Sequence, residues 1–145
     1  MVTVQQLLDE KGRSVWTTSP ATSVYDVLGM MAEKNVGAIV VAEGGRVVGM
    51  FSERDYARKV TLLGRRSREL SVGEIMSPGV IHVTLRHTID QCMQIMTEKH
   101  IRHLPVVEEG KLEGLISIGD VVRCVIEDQR STINHLEDYI TGRKS

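Results

Sequence analysis

Aromatic side chains are scarce in this 145-residue chain: one Trp, one Phe and three Tyr. Its core must therefore be aliphatic. Only two cysteines occur, Cys92 and Cys124, with neither a close pairing nor metal-ligand spacing. That usage fits a reducing, cytoplasmic setting. No apolar run approaches the ~18 residues that a membrane span needs. The first residues, Met1 to Gln6, carry no basic and apolar leader pattern, so no signal peptide is expected. The formal charge is only −1, which gives no global attraction to nucleic acid or to an anionic membrane. A glycine-rich phosphate loop is missing too. Four of the five histidines (His82, His87, His100 and His103) fall between residues 72 and 127, but their spacing matches no ligand motif. No metal is expected.

What the chain does have is a phrase written twice. Gly49-Met50-Phe51-Ser52-Glu53-Arg54-Asp55 returns as Gly114-Leu115-Ile116-Ser117-Ile118-Gly119-Asp120, at an offset of 65 that holds without a gap from Ser23/Thr88 to Asp55/Asp120. The apolar pair suits the end of a buried strand. Ser-x-x-Asp suits the first turn of a helix. There the hydroxyl can reach a phosphate, and the carboxylate can accept from two vicinal hydroxyls, as on a ribose. The same spacing also spells a capping box, which alone explains a single copy.

The rest of each copy repeats in step. A helix face of Val24, Val27, Leu28 and Met31 returns as Ile89, Cys92, Met93 and Met96. Cys92 thereby reads as a small buried hydrophobe, not a nucleophile. Ala38 to Ala42 is an apolar run of strand length, and Gly44-Gly45 is a hairpin turn leading into Val47 to Phe51. Val15 to Thr18 reads as a short strand, and Tyr56, Val60 and Leu63 as a further helix. A short opening helix, with Val4, Leu7 and Leu8, recurs as Val72 to Met76, but at an offset of 68. An insertion therefore lies between opening helix and first strand.

The expected domains are residues 1–64, a basic solvated linker at 65–71, and residues 72–127, with 128–145 extending the last helix into a tail. One copy of about 60 residues buries too little surface alone, so the two should pack about a pseudo-two-fold axis, leaving two clefts between them. The final helix is expected from Ile118 to about Ile140. Its stripe of Val122, Ile126, Ile133, Leu136 and Ile140 is roughly heptad-like and exceeds what the repeat needs. It should dock a partner chain or pack on the opening helix.

These residues resemble a known family. Two β-α-β-β-α copies, each ending in Gly-h-x-Ser-x-x-Asp, are similar to the tandem cystathionine-β-synthase (CBS) domain pair, the Bateman module. Phe51 to Val60 and Ile101 to Val107 look most like small stand-alone bacterial members. The resemblance implies an α/β fold and no catalysis. It implies AMP, ADP, ATP, S-adenosylmethionine or a dinucleotide such as NAD bound between the copies, a homodimer, and an effector protein that the sequence does not identify. It also implies a residue assignment. The first cleft would use Ser52, Arg54 and Asp55, completed by Val80, Ile81 and His82 and by Arg102, His103 and Leu104. The second would use Ser117 and Asp120, with Val15, Trp16 and Thr17 and with Gly37, Ala38 and Ile39. Asp55 and Asp120 would take ribose, Ser52 and Ser117 phosphate, and Ile81 and Trp16 would line the adenine slots. Arg54, Arg102 and His103 are replaced by Gly119, Gly37 and Ala38 in the second cleft, so the two should differ in ligand or affinity. A ligand-free interaction scaffold is the alternative.

Overall fold

The computed structural model describes residues 1–142; the end of the expected C-terminal tail, 143–145, lies outside the described residues. The two copies are built alike. In the first, β1 (Thr17–Thr18) runs parallel to β2 (Ala38–Glu43), which pairs antiparallel with β3 (Arg46–Ser52). In the second, β4 (His103–Glu108) pairs with β5 (Lys111–Ser117). Each hairpin turns on two residues with positive φ, Gly44-Gly45 and Glu109-Gly110, as a tight twisted turn requires. Both hairpins also shift register at equivalent places, Val41/Ala42 and Val106/Val107.

The expected first strands are shorter than their sequences suggest. Val15 and Trp16 stay outside β1. In the second copy only Val83 pairs, donating to the Pro105 carbonyl at 3.0 Å and accepting from Val107 N–H at 2.9 Å. The next parallel rung would need an N–H at position 105, and proline has none. Val80, Ile81 and His82 are therefore left outside the ladder.

Helix α2 (Val24–Lys34) and helix α5 (Ile89–Lys99) lie on their own hairpins and end on left-handed caps at Asn35 and His100. The opening helices do the opposite: they are exchanged. Helix α1 (Val4–Lys11) buries Val4, Leu7 and Leu8 among Val83, Cys92, Met96, Leu104, Ile116 and Val121 of the second copy. Helix α4 (Val72–Ile75) buries Val72 and Ile75 among Val27, Met31, Ile39, Phe51 and Val60 of the first. The repeated glycine permits each crossing. A Cβ at Gly114 would meet Leu8 Cδ1 at 2.8 Å, and one at Gly49 would overlap Met76 Sδ. Neither copy completes its core without the other.

One expectation is corrected here. The helix after Ser52 is only α3 (Glu53–Tyr56), followed by a wider π turn over Ala57–Thr61. That turn carries Val60 into the core but leaves Leu63 exposed. In the linker Arg65, Arg66, Arg68 and Glu69 are exposed, while Leu70 is buried in the first core and Arg68 stacks 4.1 Å from the Tyr25 ring centre. Helix α6 runs Ile118–Thr141, close to expectation. Its inner face packs on the second core through Val121, Cys124 and Val125, while Val122, Ile126, Ile133, Leu136 and Ile140 remain exposed.

Candidate functional site

Both Ser-x-x-Asp phrases fold as capping boxes. Asp55 N–H donates to Ser52 Oγ at 3.2 Å, and Ser52 N–H donates back to Asp55 Oδ2 at 2.9 Å. Ser117 and Asp120 do the same at 3.1 and 2.9 Å. Helix capping therefore accounts for one carboxylate oxygen at each site. What else each carboxylate holds distinguishes the two.

At Asp55, Oδ1 accepts from Ser77 Oγ at 3.2 Å and lies 3.2 Å from Lys59 Nζ. Lys59 is one helical turn beyond Asp55, and its ammonium also donates to the Ile75 carbonyl at 3.1 Å. Ser77 is held in place by paired backbone bonds with Met50 on β3, at 3.1 and 2.9 Å. It reaches the site because α4 crosses the first copy at Gly49.

These groups line an open hollow of about 490 Å³. The first copy supplies Gly37, Ala38, Ser52, Arg54, Asp55 and Lys59, and the second copy supplies His100, Ile101, Arg102 and His103. The volume lies within the ~300–1,000 Å³ range of small-ligand pockets. Helix α5 ends at His100 with φ 55°, which turns the chain so that residues 101–103 face the first copy. Arg54 Nη1 donates to the His100 carbonyl at 3.4 Å, across the junction. Four cations, Arg54, Arg58, Lys59 and Arg102, share the lining with two carboxylates, Glu53 and Asp55. Burial holds His103 below the usual imidazole pKa, and the Lys11 and Arg102 charges push the same way against the Asp120 carboxylate. His103 is thus neutral at pH 7 and offers hydrogen bonds rather than charge.

The second carboxylate is held by two cations. Lys11 Nζ lies 2.6 Å from Asp120 Oδ2 and also donates to the Leu115 carbonyl at 2.7 Å. Arg123 is 3.6 Å from Oδ1. Burial pushes the Asp120 pKa up, but the Lys11 ammonium and the Ser117 bonds outweigh it and hold the carboxyl below its usual range. Asp120 faces a recess of about 320 Å³ with Leu7, Glu10, Lys11, Arg123, Cys124 and Glu127.

Of the residues expected at the first cleft, Ser52, Arg54, Asp55, Arg102 and His103 come together. Leu104 does not, because its side chain is in the second core. Gly37 and Ala38, expected at the second cleft, join the same hollow, while Ile39 is buried in the first core. The edge segments Val15 to Thr17 and Val80 to His82 line neither space. Trp16 is half exposed, with the Lys34 ammonium 4.3 Å from its ring centre, and Ile81 is exposed. Sequence reasoning missed Lys59, Ser77 and Lys11. Lys59 was signalled by its i, i+4 spacing from Asp55. The other two depend on the helix exchange. Among the described residues, no cluster of three or more His, Cys, Asp or Glu could hold a metal ion, and no helix is long and apolar enough to cross a membrane.

A duplicated hairpin-and-helix unit with exchanged opening helices and a Ser-x-x-Asp at each strand-to-helix junction defines a tandem-repeat α/β module. Residues 12–61 and 72–127 each match the family model of the CBS domain, and the chain belongs to that family as a tandem pair. Among curated relatives, the mitochondrial CBS domain-containing protein CBSX3 of Arabidopsis thaliana is 39% identical over 150 residues, covering 97% of this chain and 72% of the relative. YhcV of Bacillus subtilis, also a CBS domain-containing protein, is 33% identical over 113 residues, covering 78% of this chain and 80% of the relative. Among solved structures, a CBS-domain protein of Burkholderia ambifaria assigned to signal transduction superposes with a TM-score of 0.84 at 47% identity, covering 88% of this chain and 96% of that one.

Proposed function

We propose that this CBS pair is a regulatory module that senses an adenine nucleotide (AMP, ADP, ATP or NAD) and passes ligand status to a partner protein. One observation carries the reading: the hollow draws on both copies, with Ser52 and Asp55 from the first and Arg102 from the second. The phosphates would sit by the Ser52 hydroxyl between Arg54 and Arg102, whose planar guanidinium groups each donate two bonds to an anion. The ribose hydroxyls would take Asp55 Oδ1, displacing Ser77 and Lys59, and leave Oδ2 to cap the helix. A ligand held from both sides favours the arrangement in which the copies are drawn together. That preference is what shifts a conformational equilibrium.

The second site is unequal on this reading. Asp120 Oδ2 already holds the Ser117 N–H and the Lys11 ammonium, so a ribose there would take Oδ1 and displace the Arg123 guanidinium. Ser117 and Asp120 would then serve a weaker or different adenine ligand.

Thermal denaturation with AMP, ADP, ATP and NAD in turn tests the proposal. A ligand at a hundred times its Kd adds about 2.7 kcal/mol, a rise of several degrees. Asp55→Asn should remove most of that rise and Asp120→Asn should spare it. No response to any of the four would leave the ligand-free scaffold, which the uncovered stripe of α6 favours.

A further inference from the structure

Helix α6 is 24 residues long, about 36 Å, and only its first two turns pack on the module. Beyond them an apolar stripe faces solvent. Val122 is 47% exposed, Ile126 43%, Ile133 54%, Leu136 57% and Ile140 80%. The opposite face carries Glu127, Asp128, Asn134 and Asp138, so the helix is amphipathic with its apolar side uncovered.

The spacing of the stripe is regular. Val122, Ile126, Gln129, Ile133, Leu136 and Ile140 are separated by alternating steps of four and three. That places Ile126, Ile133 and Ile140 at heptad position a, and Val122, Gln129 and Leu136 at position d. β-Branched Ile at every a position, with Leu136 at one d position, favours two strands. A second copy of this chain presents the identical stripe, which is what an isologous two-fold interface needs.

The single polar residue of the seam sets the direction. In a parallel pair in register, Gln129 faces Gln129 of the other copy, and the two amides can satisfy each other. In an antiparallel pair with all six layers used, Gln129 would face Ile133, and a buried amide would go unpaired. The flanks are compatible. Arg123, Arg130 and Glu137 occupy position e, whereas Val125, Thr132 and Tyr139 occupy position g, so a parallel seam sets no like charges opposite each other.

We propose that α6 pairs with α6 of a second copy as a parallel two-stranded coiled coil, with Val122, Ile126, Gln129, Ile133, Leu136 and Ile140 as its seam. This gives the expected homodimer its surface and involves no ligand, so its failure would leave the nucleotide reading untouched. The full chain, free of nucleotide, should sediment at twice the chain mass at micromolar concentration. Ile133→Glu combined with Leu136→Glu should sediment as a monomer. Its urea midpoint, read at the buried core, should stay close to that of a wild-type sample diluted to monomer, since neither side chain touches that core. With Cys124→Ser to remove the half-buried thiol, Ile133→Cys should oxidise to a covalent dimer, because equivalent a positions adjoin only in the parallel register. A wild-type monomer, or a dimer indifferent to the double glutamate variant, would overturn the proposal. So would a dimer in which Ile133→Cys fails to cross-link. Recovery of a different protein on the stripe with the wild type still monomeric would overturn it equally.

Discussion

Consider Lys11→Ala. The ammonium lies 2.6 Å from a carboxylate whose side chain is 9% exposed, while the lysine side chain itself is 36% exposed. Breaking a fully buried pair costs about 3–5 kcal/mol, because a charge is left uncompensated. Here water can follow the truncated side chain in, and Asp120 keeps Ser117 N–H and the more distant Arg123. The expected loss is therefore discounted to about 1–2 kcal/mol, or roughly 3–6 °C for a chain of this length. Urea unfolding of the wild type, Lys11→Ala, Asp120→Asn and the double variant should give a coupling energy of about 1 kcal/mol. The pH dependence has a definite sign. The folded Asp120 carboxyl binds its proton less readily than the unfolded one. The stability it contributes is full above the unfolded carboxylate pKa and fades as pH falls through the lowered folded value. The gap between wild type and Lys11→Ala should close over that acid window. Equal stability at pH 7, or a gap that persists at low pH, would refute the reasoning.

Three further outcomes are expected. Gly114→Ala and Gly49→Ala should each cost about 1–3 kcal/mol by overpacking against Leu8 and Met76, whereas Gly29→Ala, open to solvent in α2, should stabilise by about 0.5–1 kcal/mol; chemical denaturation separates them. Burial pushes the Cys92 thiol up to about 11, so native protein at pH 8 should react with a thiol reagent at Cys124 at most, and Cys92 should react only on unfolding. Because His103 is held below its usual pKa, it should stay neutral down to more acidic pH than a free imidazole, and an NMR titration of its ring would show this.

The duplication was legible because one offset of 65 aligned the copies without a gap from Ser23/Thr88 to Asp55/Asp120. The capping boxes were legible from Ser-x-x-Asp itself. The partners of the two carboxylates were less so. Lys11 is 109 residues from Asp120 and meets it only because α1 packs on the opposite copy. The change of offset from 65 to 68 marks an insertion in the loop that carries that exchange, but does not say which core receives the helix. Pro105 reads as an ordinary residue of an apolar run, yet its missing N–H decides how far the neighbouring strand can pair. The π turn after Tyr56 had no sequence signal, and it moved Leu63 from an expected helix face to solvent.

The sharpest measurement is calorimetric titration of Arg102→Ala with AMP beside the wild type. Arg102 is exposed and belongs to the copy that does not supply Asp55, so its loss leaves both cores and the capping box intact. Removing a charge-assisted bond worth about 1.5–3 kcal/mol should weaken AMP by roughly 10- to 150-fold. An unchanged affinity would mean that nucleotide is not held between the two copies.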